Sequence, residues 1–197
     1  MRNTVCILLL ILTGCHSGNN FLLRGQLPDN TYDGEVIYLV PLENAVKERV
    51  DSARIKDGTF VFEGIATVPE IYIIRAKPVL RFNLEELLVV RESGTLLANI
   101  GKSSSVTGTA LNDSLQRWKE KKMMFNIRNA ELIKQFRTAE EPLKPEIQQR
   151  ADSLQVDGIN FHFNFVRNNR ENIVGQLVQK IMAGSFTEEQ MQQLKGK

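Results

Sequence analysis

Ala53-Arg54-Ile55-Lys56-Asp57-Gly58-Thr59-Phe60-Val61-Phe62 is the stretch that decides how this chain folds. Asp57-Gly58 can adopt the positive φ angles of a two-residue turn. Beyond it the residues alternate, so that Phe60 and Phe62 share one face of a strand while Thr59 and Val61 share the other. Two short runs about a tight turn read as a β-hairpin with an aromatic inner face.

The same texture extends in both directions. Runs rich in β-branched and aromatic residues occupy 21–27, 35–40, 52–55, 59–62, 71–75, 87–91, 95–100 and 104–107, with turn residues between them. Pro28, Pro41, Pro69 and Pro78 fall at the ends of runs, where a missing N–H breaks no ladder. This spacing predicts antiparallel sheets. After residue 108 the period changes. Leu111, Trp118, Phe125 and Leu132 recur every seven residues, with Leu115 and Phe136 on a companion row that Lys122 and Asn129 interrupt, so a long helix with a narrow apolar stripe is predicted. Past the turn at 141–145, Ile147, Ala151, Leu154, Phe161 and Phe165 define a second helix antiparallel to the first, with Gly158 on the same stripe allowing a close contact. Ile173, Leu177 and Ile181 mark a third helix within 172–182, and Thr187-Glu188-Glu189-Gln190 is a capping-box pattern opening a short last one. The expected fold is α+β: an N-terminal antiparallel β-sandwich or flattened barrel over 21–108, then a small helical domain over 109–197.

The N-terminus carries a different message. Arg2, the apolar run 5–12 and Leu12-Thr13-Gly14-Cys15 read as an export signal over 1–14 that ends in a lipobox. A permanent anchor needs about 20 consecutive apolar residues, and this run breaks at Thr13-Gly14. An ordinary secretory signal ends in an A-x-A-like site, whereas here small residues precede a cysteine. The expected processing is transfer of a diacylglycerol to the Cys15 thiol, cleavage between Gly14 and Cys15, and acylation of the new amino group. Residues 15–20 would then form a lipidated tether. No aspartate follows Cys15 and no acidic cluster lies nearby, so the expected location is the cell envelope, on the periplasmic face of an outer membrane.

Composition narrows the chemistry. Cys6 and Cys15 are the only cysteines. Cys6 would leave with the signal and Cys15 would become a thioether, so no thiol remains for a disulfide, a metal site or redox exchange. The 183 residues from Cys15 onward can bury a sufficient core without staples. Of the 25 Lys and Arg, Arg2 lies in the signal, which leaves 24 against 23 Asp and Glu, interspersed in sequence. That balance lacks the one-sided basic stripe of a nucleic-acid binder. Lys119, Lys121 and Lys122 surround Glu120 on the predicted first helix and read as a solvated face.

No catalytic constellation stands out. Gly101-Lys102-Ser103 resembles the end of a phosphate-binding loop, but the glycine required five positions earlier is Leu96. His16 and His162 are the only histidines, so no H-E-x-x-H arrangement exists, and His162 reads as a structural histidine among Phe161, Phe163 and Phe165. Glu85-Glu86, Glu140-Glu141 and Glu188-Glu189 are adjacent pairs whose side chains diverge, unlike the facing carboxylates of glycosidases. There is no G-x-S-x-G elbow. No catalytic, metal or cofactor-binding residue is nominated and no cofactor is expected.

Several segments together carry a resemblance. They are Phe21-Leu22-Leu23-Arg24-Gly25, Gly34-Glu35-Val36-Ile37-Tyr38-Leu39, Asp51-Ser52-Ala53, Asp57-Gly58-Thr59-Phe60-Val61-Phe62-Glu63-Gly64 and Pro69-Glu70-Ile71-Tyr72. The N-terminal part resembles a domain of unknown function of Bacteroidetes lipoproteins that typically precedes the thioredoxin domain of AhpC/TSA or TlpA-type thiol-disulfide oxidoreductases. Val106-Thr107-Gly108-Thr109-Ala110-Leu111-Asn112 is similar to its exit into the helices. Asn172-Ile173-Val174-Gly175 with Thr187-Glu188-Glu189-Gln190 is similar to the helical connector that follows. The resemblance implies redox company, but its CxxC-bearing thioredoxin domain has no counterpart before Lys197.

The expected function is a non-enzymatic, lipid-anchored envelope lipoprotein whose β-domain binds an envelope protein or a small ligand. The alternative is a redox accessory, a truncated relative of the oxidoreductases; a cryptic enzyme using carboxylates or hydroxyls is the third reading. The purified chain should not reduce insulin disulfides, and measurable reduction that persists after Cys15 is removed would overturn this cysteine argument.

Overall fold

The computed structural model describes residues 18–76, 87–101 and 103–195. The expected signal 1–14 with Gly14, then Cys15, His16, Pro78, Glu85-Glu86 and Lys102, lie outside the described residues. Among the described residues eight strands come first: β1 (Asn20–Gln26), β2 (Val36–Pro41), β3 (Asp51–Arg54), β4 (Thr59–Ile65), β5 (Glu70–Ala76), β6 (Leu87–Arg91), β7 (Gly94–Asn99) and β8 (Ser105–Thr107). Four helices follow: α1 (Ala110–Thr138), α2 (Lys144–Asn169), α3 (Ile173–Met182) and α4 (Glu188–Lys195).

Period-two alternation builds an α+β sandwich. The strands form two four-stranded sheets, ordered β4-β1-β7-β8 and β3-β2-β5-β6. Phe21, Leu23, Phe60, Phe62 and Leu96 point inward from the first sheet and meet Ile37, Leu39, Tyr72, Ile74, Leu87 and Val89 from the second. The rings of Phe60 and Phe62 lie 5.7 Å apart, edge to face, while Thr59 and Val61 stay exposed, as the alternation required. The sandwich is open, so the flattened-barrel alternative does not hold: β6 and β8 are edges of separate sheets.

Two expectations need correction. Asp57 and Gly58 do take positive φ, 52° and 66°, and Lys56 and Thr59 exchange both backbone hydrogen bonds across the turn. Yet β3 and β4 then part into different sheets. The turn is a corner between layers, and the Asp33 carboxylate holds it by accepting from the Asp57 and Gly58 N–H groups, each at 2.8 Å. A Cβ on Gly58 would lie 2.9 Å from Asn30 Oδ1 in addition to the φ penalty, so glycine is required there. The second correction is that the first sheet is not wholly antiparallel, since β1 and β7 pair in parallel. The reason is connectivity. Glu92 and Ser93 alone carry the chain from the end of β6 across to β7, so β7 starts at the same end of the sandwich as β1, with Gly94 opposite Phe21.

Helix α1 seals the side of the sandwich where β6 and β8 are edges. The Asn112 side chain accepts from Val90 N–H at 2.9 Å and donates to Val90 C=O at 2.8 Å, as a neighbouring strand would. One turn later Gln116 Oε1 accepts from Val106 N–H of β8 at 3.2 Å. Glu92 accepts from the Leu111 and Asn112 N–H groups at 3.1 and 3.3 Å, placing a carboxylate at the positive end of the helix.

A second apolar cluster forms outside the second sheet. Ile71 and Val90 turn away from the sandwich and are buried with Leu115, Trp118, Phe163, Val166, Val174, Leu177 and Val178. This explains the unbroken Leu87-Leu88-Val89-Val90 run: β6 is covered on both faces. Along α1, Trp118 and Leu132 are buried and Leu111 and Phe125 half-buried, whereas Phe136 is exposed. Gly158 packs beneath Phe125, but an added Cβ would sit 3.7 Å from the ring, an ordinary contact, so the helix spacing does not depend on glycine. Asn112→Ala should cost about 2 to 4 kcal/mol, because it strands the buried N–H and C=O of Val90. An unchanged urea midpoint would show that α1 does not seal β6.

Candidate functional site

A concavity lies where the second sheet meets α3. The chain leaves β2 at Pro41, turns through Leu42, Glu43 and Asn44, and passes a short 3-10 turn, Lys47–Arg49, before β3. These residues, the start of β5 at Glu70 and Ile71, and Ile173, Gln176, Leu177 and Lys180 of α3 enclose a cleft of about 210 Å³. Asn172 fixes the position of α3 by accepting from Val174 and Gly175 N–H, each at 3.0 Å. Gly175 lets the first turn press on α2, since a Cβ there would lie 2.0 Å from Asn169 C=O.

Charges of both signs line this cleft. Arg49 Nη2 meets Glu70 Oε1 at 2.7 Å, and Arg49 Nη1 also donates to the carbonyls of Glu43 and Asn44 at 3.4 and 3.5 Å. The hydrogen bond to Glu70 raises the Arg49 pKa further above its ordinary value. Across the cleft Lys180 Nζ donates to Glu43 Oε1 at 2.8 Å, and that bond holds the Glu43 carboxyl below its usual value. Both partners of the second pair are 70% exposed, so it contributes little to holding α3. Val174, Leu177 and Val178 do that by burial, leaving the charged rim available to a ligand.

The structure sorts the other candidates. His162 is buried, and its Nδ1 accepts from Trp118 Nε1–H at 3.0 Å, inside a ring cluster with Phe125 and Phe161. It bridges α1 and α2. Lys121 and Lys122 lie over the Phe125 and Trp118 rings at 5.5 and 5.2 Å. Ser104 Oγ accepts from Gly101 N–H and donates to Gly101 C=O, each at 3.1 Å, while Lys102 lies outside the described residues. Glu141 pairs with Lys144. Glu188 and Glu189 open α4 beside the expected capping box, in which Thr187 and Gln190 exchange bonds of 3.0 and 3.1 Å. Among the described residues no three His, Cys, Asp or Glu side chains gather to hold a metal ion, and no helix is long and apolar enough to cross a membrane. A larger space of about 540 Å³ lies beside Leu87, Trp118 and Ile181.

Arg49, Glu70, Glu43 and Lys180 were not singled out from the sequence. They are 21 and 137 positions apart in their pairs, and no local pattern marks such partners. Pro69-Glu70-Ile71-Tyr72 and Asn172-Ile173-Val174-Gly175 pointed to the vicinity, through a likeness and not through the charge pairs.

Residues 21–115 match the model of a domain of unknown function, DUF4369. The match takes in all eight strands and ends within the first turns of α1, just past Asn112, so the sealing helix start is part of the matched unit. No curated protein and no solved structure matches the chain.

Burial, with Lys122 nearby, holds the His162 imidazole below its ordinary pKa of 6.5. The unfolded chain therefore binds the proton first, and the stability contributed by neutral His162 is full above the unfolded value and is lost as pH falls below it. In thermal melts, the advantage of the wild type over His162→Gln should shrink between about pH 7.5 and pH 5. A constant difference would mean that the imidazole titrates normally in the fold.

Proposed function

We propose that the mature chain is a lipid-anchored envelope lipoprotein, attached through Cys15, that acts as a binding module rather than as an enzyme. In this reading the cleft between β2, β5 and α3 takes a segment of an envelope protein. The observation that carries it is the composition of that cleft, where Leu42, Ile71, Ile173 and Leu177 supply apolar wall beneath Arg49, Glu70, Glu43 and Lys180. An extended peptide offers both N–H and C=O groups and side chains of either charge, and such a rim can meet all of them. Size favours the same choice. Pockets for drug-sized molecules run from about 300 to 1,000 Å³, and a cleft of about 210 Å³ suits one or two side chains of a peptide better.

Anchoring and binding are separately testable. Cys15→Ala should move the protein out of the membrane fraction or leave it as uncleaved precursor, and the N-terminal peptide of the native protein should begin at Cys15 and carry the added mass of acyl chains. Normal processing and unchanged fractionation of the variant would overturn the anchor. A photo-crosslinking residue at exposed Gln176 should yield a discrete adduct in living cells, while one at exposed Gln148, on the far part of α2, should not. Equal labelling from both positions would remove the cleft from this reading.

A further inference from the structure

The start of the described chain is stapled to one end of the sandwich. Ser93 Oγ donates to Gly18 C=O at 3.1 Å, and Ala66 N–H donates to Asn19 C=O at 2.7 Å. Asn20 already belongs to β1, opposite Ile65 of β4. Of the expected tether 15–20, only Cys15, His16 and Ser17 therefore precede the first staple. Three residues reach at most about 10 Å even when fully extended. An acyl chain on Cys15 thus leaves this end of the sandwich no room to stand off from the surface that holds the lipid.

That same end exposes two large apolar side chains among the polar Asn19, Asn20, Thr67 and Ser93. Ile65 is 60% and Val68 63% exposed, each large for a β-branched apolar residue, and both sit beside the staples. Lys47, Glu48 and Asp51 are exposed on the neighbouring β2–β3 connection, and three further charged groups at this end make contacts within the fold. Glu70 is bound by Arg49, Glu92 is occupied by the start of α1, and the Arg91 guanidinium lies 5.5 Å from the ring centres of both Phe21 and Tyr72. Glu63 is two positions further along β4, away from this end. The opposite end of β1, some 20 Å away at about 3.3 Å per residue, leads instead to the polar turn Asp29-Asn30-Thr31.

We propose that the Asn20 end of the sandwich, with Ile65 and Val68, rests in the interfacial region of the bilayer that holds the Cys15 lipid, and that β1 runs away from the membrane. The occupant of this end is the lipid surface itself, because the tether length dictates contact, Ile65 and Val68 are side chains that partition into an acyl-chain boundary, and the polar residues beside them suit its headgroup side. This inference rests on the Cys15 anchor and is independent of the cleft.

The test uses the full lipidated protein carrying Val68→Cys or, separately, Thr31→Cys. Cys6 leaves with the signal and the Cys15 sulfur is a thioether, so a thiol-reactive environment-sensitive fluorophore marks one position in each variant. The vesicles are phosphatidylethanolamine and phosphatidylglycerol containing a lipid with a nitroxide quencher high on its acyl chain. Loss of emission from position 68 with unchanged emission from position 31 is the expected result, and Ile65→Cys should behave as Val68→Cys. Equal quenching at 68 and 31, or none at either, in protein whose intact mass shows the acyl chains, overturns the orientation and leaves the anchor standing. A mass without acyl chains overturns the anchor and, with it, this proposal.

Discussion

The Asn112 carboxamide is the contact on which the arrangement of this protein depends. An open sandwich leaves rows of unpaired backbone groups along its edges, and burying such groups unpaired is costly. Two edges, β6 and β8, face the same side of the molecule. By returning both the N–H and the C=O of Val90, Asn112 acts as a one-residue strand, and Gln116 repeats half of that act on β8. Spaced four apart on a helix, the two amides stand on one face of α1. Covering β6 and β8 therefore also sets the direction of the longest helix, and with it the position of everything downstream.

From that starting point the helical layer follows. Leu115 and Trp118, on the next turn of α1, carry apolar surface onto the outer face of the second sheet, where Ile71 and Val90 await it. The Trp118 to His162 hydrogen bond then registers α2 against α1, and Asn172 turns the chain back so that α3 returns to the sheet. The cleft is a by-product of this return: α3 is held by Val174, Leu177 and Val178, and what lies between its exposed flank and the β2 turn is left as a charged notch. Further along, the hairpin of α1 and α2 extends past α3 and exposes Ile127, Ile133, Phe136 and Leu143, since no third layer among the described residues covers it there.

Much of this was legible in the sequence. Apart from β3, whose Asp51-Ser52-Ala53-Arg54 holds one small apolar residue, the described strands fall on runs of alternating or continuous apolar residues, and the first long helix begins at the change of period near residue 108. Asp57-Gly58 and Thr187-Glu188-Glu189-Gln190 formed the turn and cap their chemistry demanded, since both are local: the residues that make them are within four positions of each other. The cleft was not legible. Arg49 finds Glu70, and Lys180 finds Glu43, only after two sheets and a helix have been assembled, and a charge in the sequence carries no mark of its distant partner. Gln116 was equally silent, and Asn112 stood out only as part of a likeness at the exit into the helices; their roles appear once the edges they satisfy are brought beside them.

The sequence by itself determined where strands, helices and turns lie, and which faces of them are apolar, because periodicity, backbone φ preference and capping act over a few residues. Tertiary structure decided which strands pair. It parted β3 from β4 at a turn that locally reads as a hairpin, and it set β7 parallel to β1 because the Glu92-Ser93 link is too short to let the chain start from the other end. It also decided which polar residues matter, since the worth of Asn112, Arg49 or Glu70 lies in the distant backbone or charge that each one meets. Those meetings are set by packing two apolar layers against one another, a constraint of the whole chain that no short stretch contains.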